Sequence, residues 1–349
     1  MTFFVSNKNK KLEELLKPAE SPLPPPRKAK TLRAVWSFWS KPYLAGQGHE
    51  WLSEFHHGLS WALSLQEAGR HYPDTWLFTD DDGARLLIDT LQLPFAHVRT
   101  DLNDLANYDP RMWNLGKLHT YRLQDEPFVH LDTDAFLWLP LPKTMTSAAV
   151  FAQNPVPLIL GKSGYKPEVM ARIFAGVCGW LPEEWGWYRS PLNGLHCEAS
   201  GLIGGNRTEF FRYVYDHAFS VLDHPGNQAA LGKVADKMRL MVLLEEYLPA
   251  ACIETHRTRR DSPFYGMDRA YLFDSLADAV NPEHAVRVGY THLVGSQKRN
   301  PAVMRLLETR ILRDNPAQYE HFERFLVTPQ TQSHQVKKDA LTEVVEAIL

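Results

Sequence analysis

Hydrophobic and polar positions along the first 140 residues alternate between two periods. Leu32–Phe38 is an apolar run suited to a strand. His56–Leu65 follows with helical spacing of Leu59, Ala62 and Leu63. Trp76–Thr79 reads as a second strand ending in acids, and Ala84–Leu91 as a helical segment closed by Leu93-Pro94. Ala96–Arg99 reads as a third strand, Trp113–Leu123 as a helix, and Pro127–Trp138 contains a fourth apolar run. Strands that alternate with helical segments predict an α/β domain with a mostly parallel sheet. The second half is less regular. Thr208–Ala218 and Ala229–Leu248 read as helices, and Ser200–Asn206 is rich in glycine. Trp180, Trp185, Trp187 and Tyr188 crowd one proline-containing stretch, open to a role in core packing or as a stacking surface.

The ends differ from the middle. Residues 1–30 carry seven basic against three acidic residues, net +4, and Pro22, Pro24, Pro25 and Pro26 lie within five positions. A short helix around Leu12–Leu16 and then a polyproline-type linker are expected there, as a tail or a peripheral membrane or partner contact. Residues 301–349 read as a helical segment with an amphipathic end at Leu341, Val344, Val345 and Ile348. The domain of interest is therefore expected over 31–300.

Composition narrows the class. The chain has 349 residues, 44% hydrophobic and 23% charged, which suits a folded protein with a sizeable core. Its net charge of −3 gives no footprint for nucleic acid. Cys178, Cys197 and Cys252 are far apart, with no CxxC, so neither a disulfide framework nor a cysteine zinc site is expected. No run of 18 apolar residues or secretory leader is visible in the sequence, and three free thiols suit a reducing compartment; a cytoplasmic location is expected.

Two motifs carry chemistry. In Phe128-Val129-His130-Leu131-Asp132-Thr133-Asp134, two carboxylates follow a buried-strand pattern. Parallel strands bind ligands at such ends. Two close carboxylates there are costly to keep charged without a cation, and a hard divalent ion with oxygen ligands answers that cost. A pair of loop acids is the alternative. In His292-Leu293-Val294-Gly295-Ser296-Gln297-Lys298, an imidazole can bind metal, a glycine lets backbone approach phosphate, and a lysine supplies a point charge. Alone, such a histidine is more often structural and such a lysine more often a solvated surface charge; together with the Asp-x-Asp, His292 and Lys298 have the parts of a metal–diphosphate site.

The pair of motifs resembles a GT-A glycosyltransferase, and the His-x-x-Gly-x-x-Lys spacing is similar to the retaining family that includes glycogenin and bacterial lipopolysaccharide galactosyltransferases. From Trp36-Ser37-Phe38-Trp39-Ser40-Lys41-Pro42 through Lys298 the chain also looks similar to uncharacterised bacterial GT-A-like proteins. The resemblance implies a Rossmann-like nucleotide-diphospho-sugar transferase fold and Mn²⁺ (or Mg²⁺) held by Asp132, Asp134 and His292. It implies a nucleotide sugar, by default a UDP sugar, held by Gly295 and Lys298, with Lys117 on the helix before the Asp-x-Asp strand set against it. Ser37 at the end of the first strand and Thr133 between the acids join that donor-binding set. Glu245 and Glu246 fall beside the reacting centre, where relatives carry Asp-Gln or Glu-Gln. Ala199 stands where relatives carry an asparagine that lines the sugar, so Glu198 or Asn206 is expected to substitute. The implied activity is sugar transfer, with retention, to a glycan, lipid-linked, peptide or small-molecule acceptor. The changed Ala199 and Glu246 positions leave a non-catalytic nucleotide-sugar binder as the alternative. An Asp-x-Asp phosphatase is disfavoured by Phe136, two places after the second acid, where that chemistry wants a small or β-branched residue.

Overall fold

The computed structural model describes residues 32–46, 50–190 and 194–327. The strands are β1 (Arg33–Phe38), β2 (Thr75–Thr79), β3 (His97–Arg99), β4 (Phe128–Leu131), β5 (Ala135–Leu137), β6 (Val150–Ala152), β7 (Pro155–Pro157), β8 (His196–Glu198), β9 (Leu202–Gly205), β10 (Arg269–Tyr271) and β11 (Tyr290–His292). The longer helices that frame the site are α1 (Glu54–His71), α2 (Leu115–Arg122), α3 (Thr208–Asp223), α4 (Leu248–His256), α5 (Pro301–Asp314) and α6 (Pro316–Leu326). Seven strands form the central sheet in the order β10-β6-β9-β4-β1-β2-β3. β3, β2, β1 and β4 are mutually parallel, as are β6 and β10. β9 alone runs against both of its neighbours. The expected α/β class with a mostly parallel sheet is what the chain forms.

The five inner strands of the sheet are buried on both faces, and their side chains alternate between two cores. Val35, Phe78, Phe128, Ile203 and Ala152 pack with α2, α3 and α4. Ala34, Trp36, Leu77, Val129, Leu202 and Phe151 pack with α1 and with Val303, Leu307, Ile311 and Phe322 of α5 and α6. The C-terminal helical segment is therefore, over Pro301–Leu326, part of the second core rather than a tail. The helix around Leu12–Leu16 and the amphipathic end at 341–348 lie outside the described residues.

Several boundaries shift for local reasons. The single apolar run at Pro127–Trp138 divides into β4 and β5, because the Asp132-Thr133-Asp134 turn breaks it and sends β5 to a separate antiparallel pairing with β11. The helix expected from Ala84 begins at Asp81. Asp80, the first of the acids after the second strand, is a buried cap. Its carboxylate accepts from Gly83 N at 2.8 Å, from Ser40 N at 3.0 Å and from Ser40 Oγ at 2.8 Å. The helix expected at Ala229–Leu248 is broken near Val234. It resumes at Lys237–Val242, passes through a π-helical turn at Leu243–Tyr247 and continues as α4.

Candidate metal centre and adjoining carboxylates

The Asp132–Asp134 turn is held from three sides. Asp132 N donates to Gly201 O at 3.0 Å and Leu293 N donates to Asp134 O at 2.9 Å. Buried on α1 one turn apart, Ser60 and Ser64 donate to the carbonyls of Thr133 at 2.6 Å and Ala135 at 2.8 Å. These bonds satisfy a turn's carbonyls that would otherwise be orphaned beneath the helix. The antiparallel register pairs His292 with Ala135. One residue away, His292 Nε2 lies 3.3 Å from Asp134 Oδ1 and 4.0 Å from Asp132 Oδ2. One ligand atom from each of Asp132, Asp134 and His292 falls within 4.8 Å of the others.

The imidazole is oriented from behind. Gln153 Oε1, itself buried, accepts from His292 Nδ1 at 2.9 Å and from Tyr290 Oη at 3.0 Å. With Nδ1 carrying the donated proton, Nε2 is the nitrogen left to face the acids, an arrangement usual behind metal-binding histidines. Gly201 completes the cradle, since a Cβ there would sit 2.3 Å from the His292 ring and 2.6 Å from Gln153 Oε1. Two carboxylates and one oriented imidazole nitrogen are a donor set that fits Mn²⁺ or Mg²⁺.

Two lysines complete the charge arrangement. Lys298 Nζ lies 2.8 Å from Asp134 Oδ2 and 3.1 Å from Glu50 Oε2, over the Trp51 ring at 5.8 Å. Lys117 Nζ lies 2.8 Å from Asp132 Oδ1 and also bonds Glu245 Oε1. Burial raises the Asp134 carboxyl, but His292 and Lys298 outweigh it and hold it well below the ordinary range. Burial lowers the His292 imidazole, but Asp134 outweighs it and the net shift is upward. At Asp132 burial dominates, and the carboxyl is raised despite Lys117.

Beyond Lys117 lies a second group of acids on the π-helical turn. Glu245 is buried. Asn114 Nδ2 donates to its Oε2 at 2.6 Å, and Ser200 Oγ donates to its Oε1 at 2.7 Å. Glu246 is half-buried, accepts from the Tyr165 phenol, and has Ser200 Oγ 3.3 Å from its Oε1. Burial and then Glu245 push its carboxyl up to about 7. π-helical turns recur at functional sites, because the extra residue turns side chains off the regular helical face.

Of the residues expected at a site, Asp132, Asp134, His292, Lys117, Lys298, Glu245 and Glu246 form one connected network. Gly295, Ser37 and Thr133 stand beside it. Gly295 opens the Gly295–Arg299 turn with φ +60°, and a Cβ there would meet nothing within 4 Å. Ser37 Oγ lies 3.0 Å from His130 Nε2. Thr133 contributes its carbonyl to Ser60. The substitutes expected for the missing asparagine are engaged elsewhere: Glu198 is buried against Arg269, and Asn206 Nδ2 donates to the carbonyls of Thr146 and Ala148. Ser200 is the residue of that segment that reaches the network. In the aromatic stretch, Trp185 and Trp187 are core residues, as is Phe264. No local motif marks Gln153, Tyr165, Asn114, Ser60 or Ser64; the glycine-rich run at 200–206 is the one signal near Ser200 and Gly201.

Fold and site together define an α/β protein with a candidate divalent-metal centre at the carboxyl end of a central parallel strand, joined through half-buried Lys117 to Glu245. Residues 32–325 match the model of a family described as a family of unknown function (DUF6734), and the chain belongs to that family. No curated protein matches the chain.

Proposed function

We propose that the protein is a metal-dependent glycosyltransferase that moves a sugar from a nucleotide diphosphate, UDP in the first place, to an acceptor, with retention at the anomeric carbon. One observation carries this reading. Asp132, Asp134 and His292, from parts of the sequence about 160 residues apart, converge within 4.8 Å at the end of β4, where α/β sheets bind nucleotides. A mostly parallel sheet with its acids at that point is compatible with a GT-A domain.

Asp132, Asp134 and His292 would hold the metal, with Gln153 fixing the imidazole. A bound Mn²⁺ or Mg²⁺ supplies Lewis-acid chemistry that offsets charge on a leaving diphosphate. Lys298 and Lys117, each already beside one of the acids, stabilise charge on diphosphate oxygens. Gly295, with its left-handed backbone, allows close approach of the main chain. Glu245, fixed by Asn114, Ser200 and Lys117, and Glu246 position the reacting sugar and the acceptor. The proton of the acceptor hydroxyl leaves with the departing phosphate, so no strong enzymic base is required. The acceptor is a glycan, a lipid-linked sugar, a peptide or a small molecule. No described helix is long and apolar enough to cross a membrane; we place the protein in the cytoplasm, with the basic segment 1–30 as a peripheral contact.

The test is release of UDP from UDP-glucose and UDP-galactose by the full chain with Mn²⁺. Slow, metal-dependent release that disappears in Asp134→Ala and His292→Ala supports the reading. Release unaffected by chelator or by either substitution contradicts it.

A further inference from the structure

The two halves of the site differ in how their charges are balanced, and this bears on which sugar the site takes; the inference rests on the glycosyltransferase reading. Around the metal acids every cation has a partner: Lys117 holds Asp132 and Glu245, Lys298 holds Asp134 and Glu50, and His292 faces Asp134. Glu246 has none. The groups that face it are the Tyr165 phenol from the loop before Pro167–Ala175, the Cys197 thiol from β8, the Ser200 hydroxyl from the turn into β9, and Glu245 on its own helix. Lys117 makes no direct bond to it; its ammonium holds Asp132 and Glu245 and reaches Ser200 Oγ at 3.5 Å. No lysine, arginine or histidine pairs with Glu246 among the described residues.

Position makes this a statement about substrate. One lysine separates Asp132 from Glu245, and one hydroxyl, that of Ser200, separates Glu245 from Glu246. On the glycosyltransferase reading, a sugar carried on a diphosphate at the metal acids would reach Glu246 across this bridge. A carboxylate presents only lone pairs, so it accepts from hydroxyls. It repels a second carboxylate strongly where little water intervenes, and specificity is often built from such repulsion. No described guanidinium or ammonium stands ready at Glu246 to receive an anionic sugar.

We propose that the donor sugar of this protein is neutral and hydroxyl-bearing, and that Glu246 is the specificity-determining residue that excludes uronic acid sugars. Burial and Glu245, by raising the Glu246 carboxyl to about 7, add a signature: the exclusion is full above that pH and weakens below it.

The experiment is titration calorimetry of the full chain with Mn²⁺ against UDP, UDP-glucose, UDP-galactose and UDP-glucuronic acid. Near pH 8, the better neutral sugar binds at least about tenfold more tightly than UDP-glucuronic acid. E246Q, which keeps the shape and removes the charge, narrows that ratio to about threefold or less. In the wild-type protein the ratio also shrinks as pH falls from about 8.5 to 6, across the shifted Glu246. Titration of His292 acts on all the UDP ligands alike and cancels in the ratio. Equal or tighter binding of UDP-glucuronic acid by the wild type near pH 8 overturns the proposal, as does a ratio unchanged in E246Q. If E246Q fails to fold, a wild-type ratio independent of pH overturns it. UDP binding without discrimination overturns this proposal and leaves the transferase reading standing; failure of every UDP ligand to bind with Mn²⁺ overturns both.

Discussion

Two buried charge clusters sit in this molecule, and they are built differently. In one, Arg269 Nη1 lies 3.1 Å from both Glu198 Oε1 and Glu254 Oε1 and 2.9 Å from His196 Nε2. Its carboxylates are buried, and a single rigid guanidinium holds strands β8 and β10 against α4. In the other, Asp132, Asp134 and His292 meet at a strand end, and their compensating charges are the long, flexible side chains of Lys117 and Lys298. A planar guanidinium suits a fixed pair, whereas an ammonium is a point charge that can transfer from a carboxylate to an incoming phosphate. Charge burial alone does not mark a functional site. Convergence of ligand-type atoms and movable counter-charges does.

The comparison can be broken at several points. Arg269→Met leaves buried Glu198 without its guanidinium, while Glu254 keeps Arg257, and is expected to cost about 3 kcal/mol of stability in urea unfolding. Asp134→Asn is expected to cost less, about 1–2 kcal/mol, because Lys298 retains Glu50 and Asp132 loses a like-charged neighbour. Equal losses at the two positions would put both clusters in one class. Gln153→Leu removes the acceptor behind His292 and is expected to weaken Mn²⁺ binding about 10- to 100-fold in a metal titration while the fold persists.

Glu246 sharpens the contrast through pH. Its carboxyl is raised from 4.5 to about 7 in the folded protein, so the folded state binds the proton more tightly than the unfolded one. The associated stabilisation is full below 4.5 and is lost as pH rises through about 7. Glu246→Gln is expected to remove this decline, making the variant more stable than wild type by about 1–2 kcal/mol near pH 8 and similar near pH 4. Thermal unfolding at both pH values measures the difference. The smallest effect is expected at Ser60→Ala, about 1 kcal/mol, for the loss of one buried hydrogen bond under the Asp turn.

The features legible in the sequence were those written in local pattern. The local pattern placed β1, β2 and β3 to within a residue or two, and the spacing in Asp-x-Asp and His-x-x-Gly-x-x-Lys placed five residues of the site region. Strand direction is not written in a period of two, so the reversal of β9 was invisible. The β5–β11 pairing joins segments about 155 residues apart, and only that pairing places His292 beside Asp134. Gln153, Ser200 and Tyr165 are single polar residues with no motif; their roles arise from what the fold brings opposite them. The π-helical turn at Leu243–Tyr247 was read as regular helix, because its acids match an ordinary exposed helical face.

The central claim, that Asp132, Asp134 and His292 form a metal–diphosphate site, is tested most directly by thermal unfolding with Mn²⁺ and UDP, singly and together, in wild type and Asp134→Asn. A ligand that binds only the folded state raises the midpoint with its concentration. UDP is expected to stabilise the wild-type protein only when Mn²⁺ is present, and Asp134→Asn, which still unfolds cooperatively, is expected to show no shift. UDP stabilisation that is independent of metal, or that persists in Asp134→Asn, would contradict it.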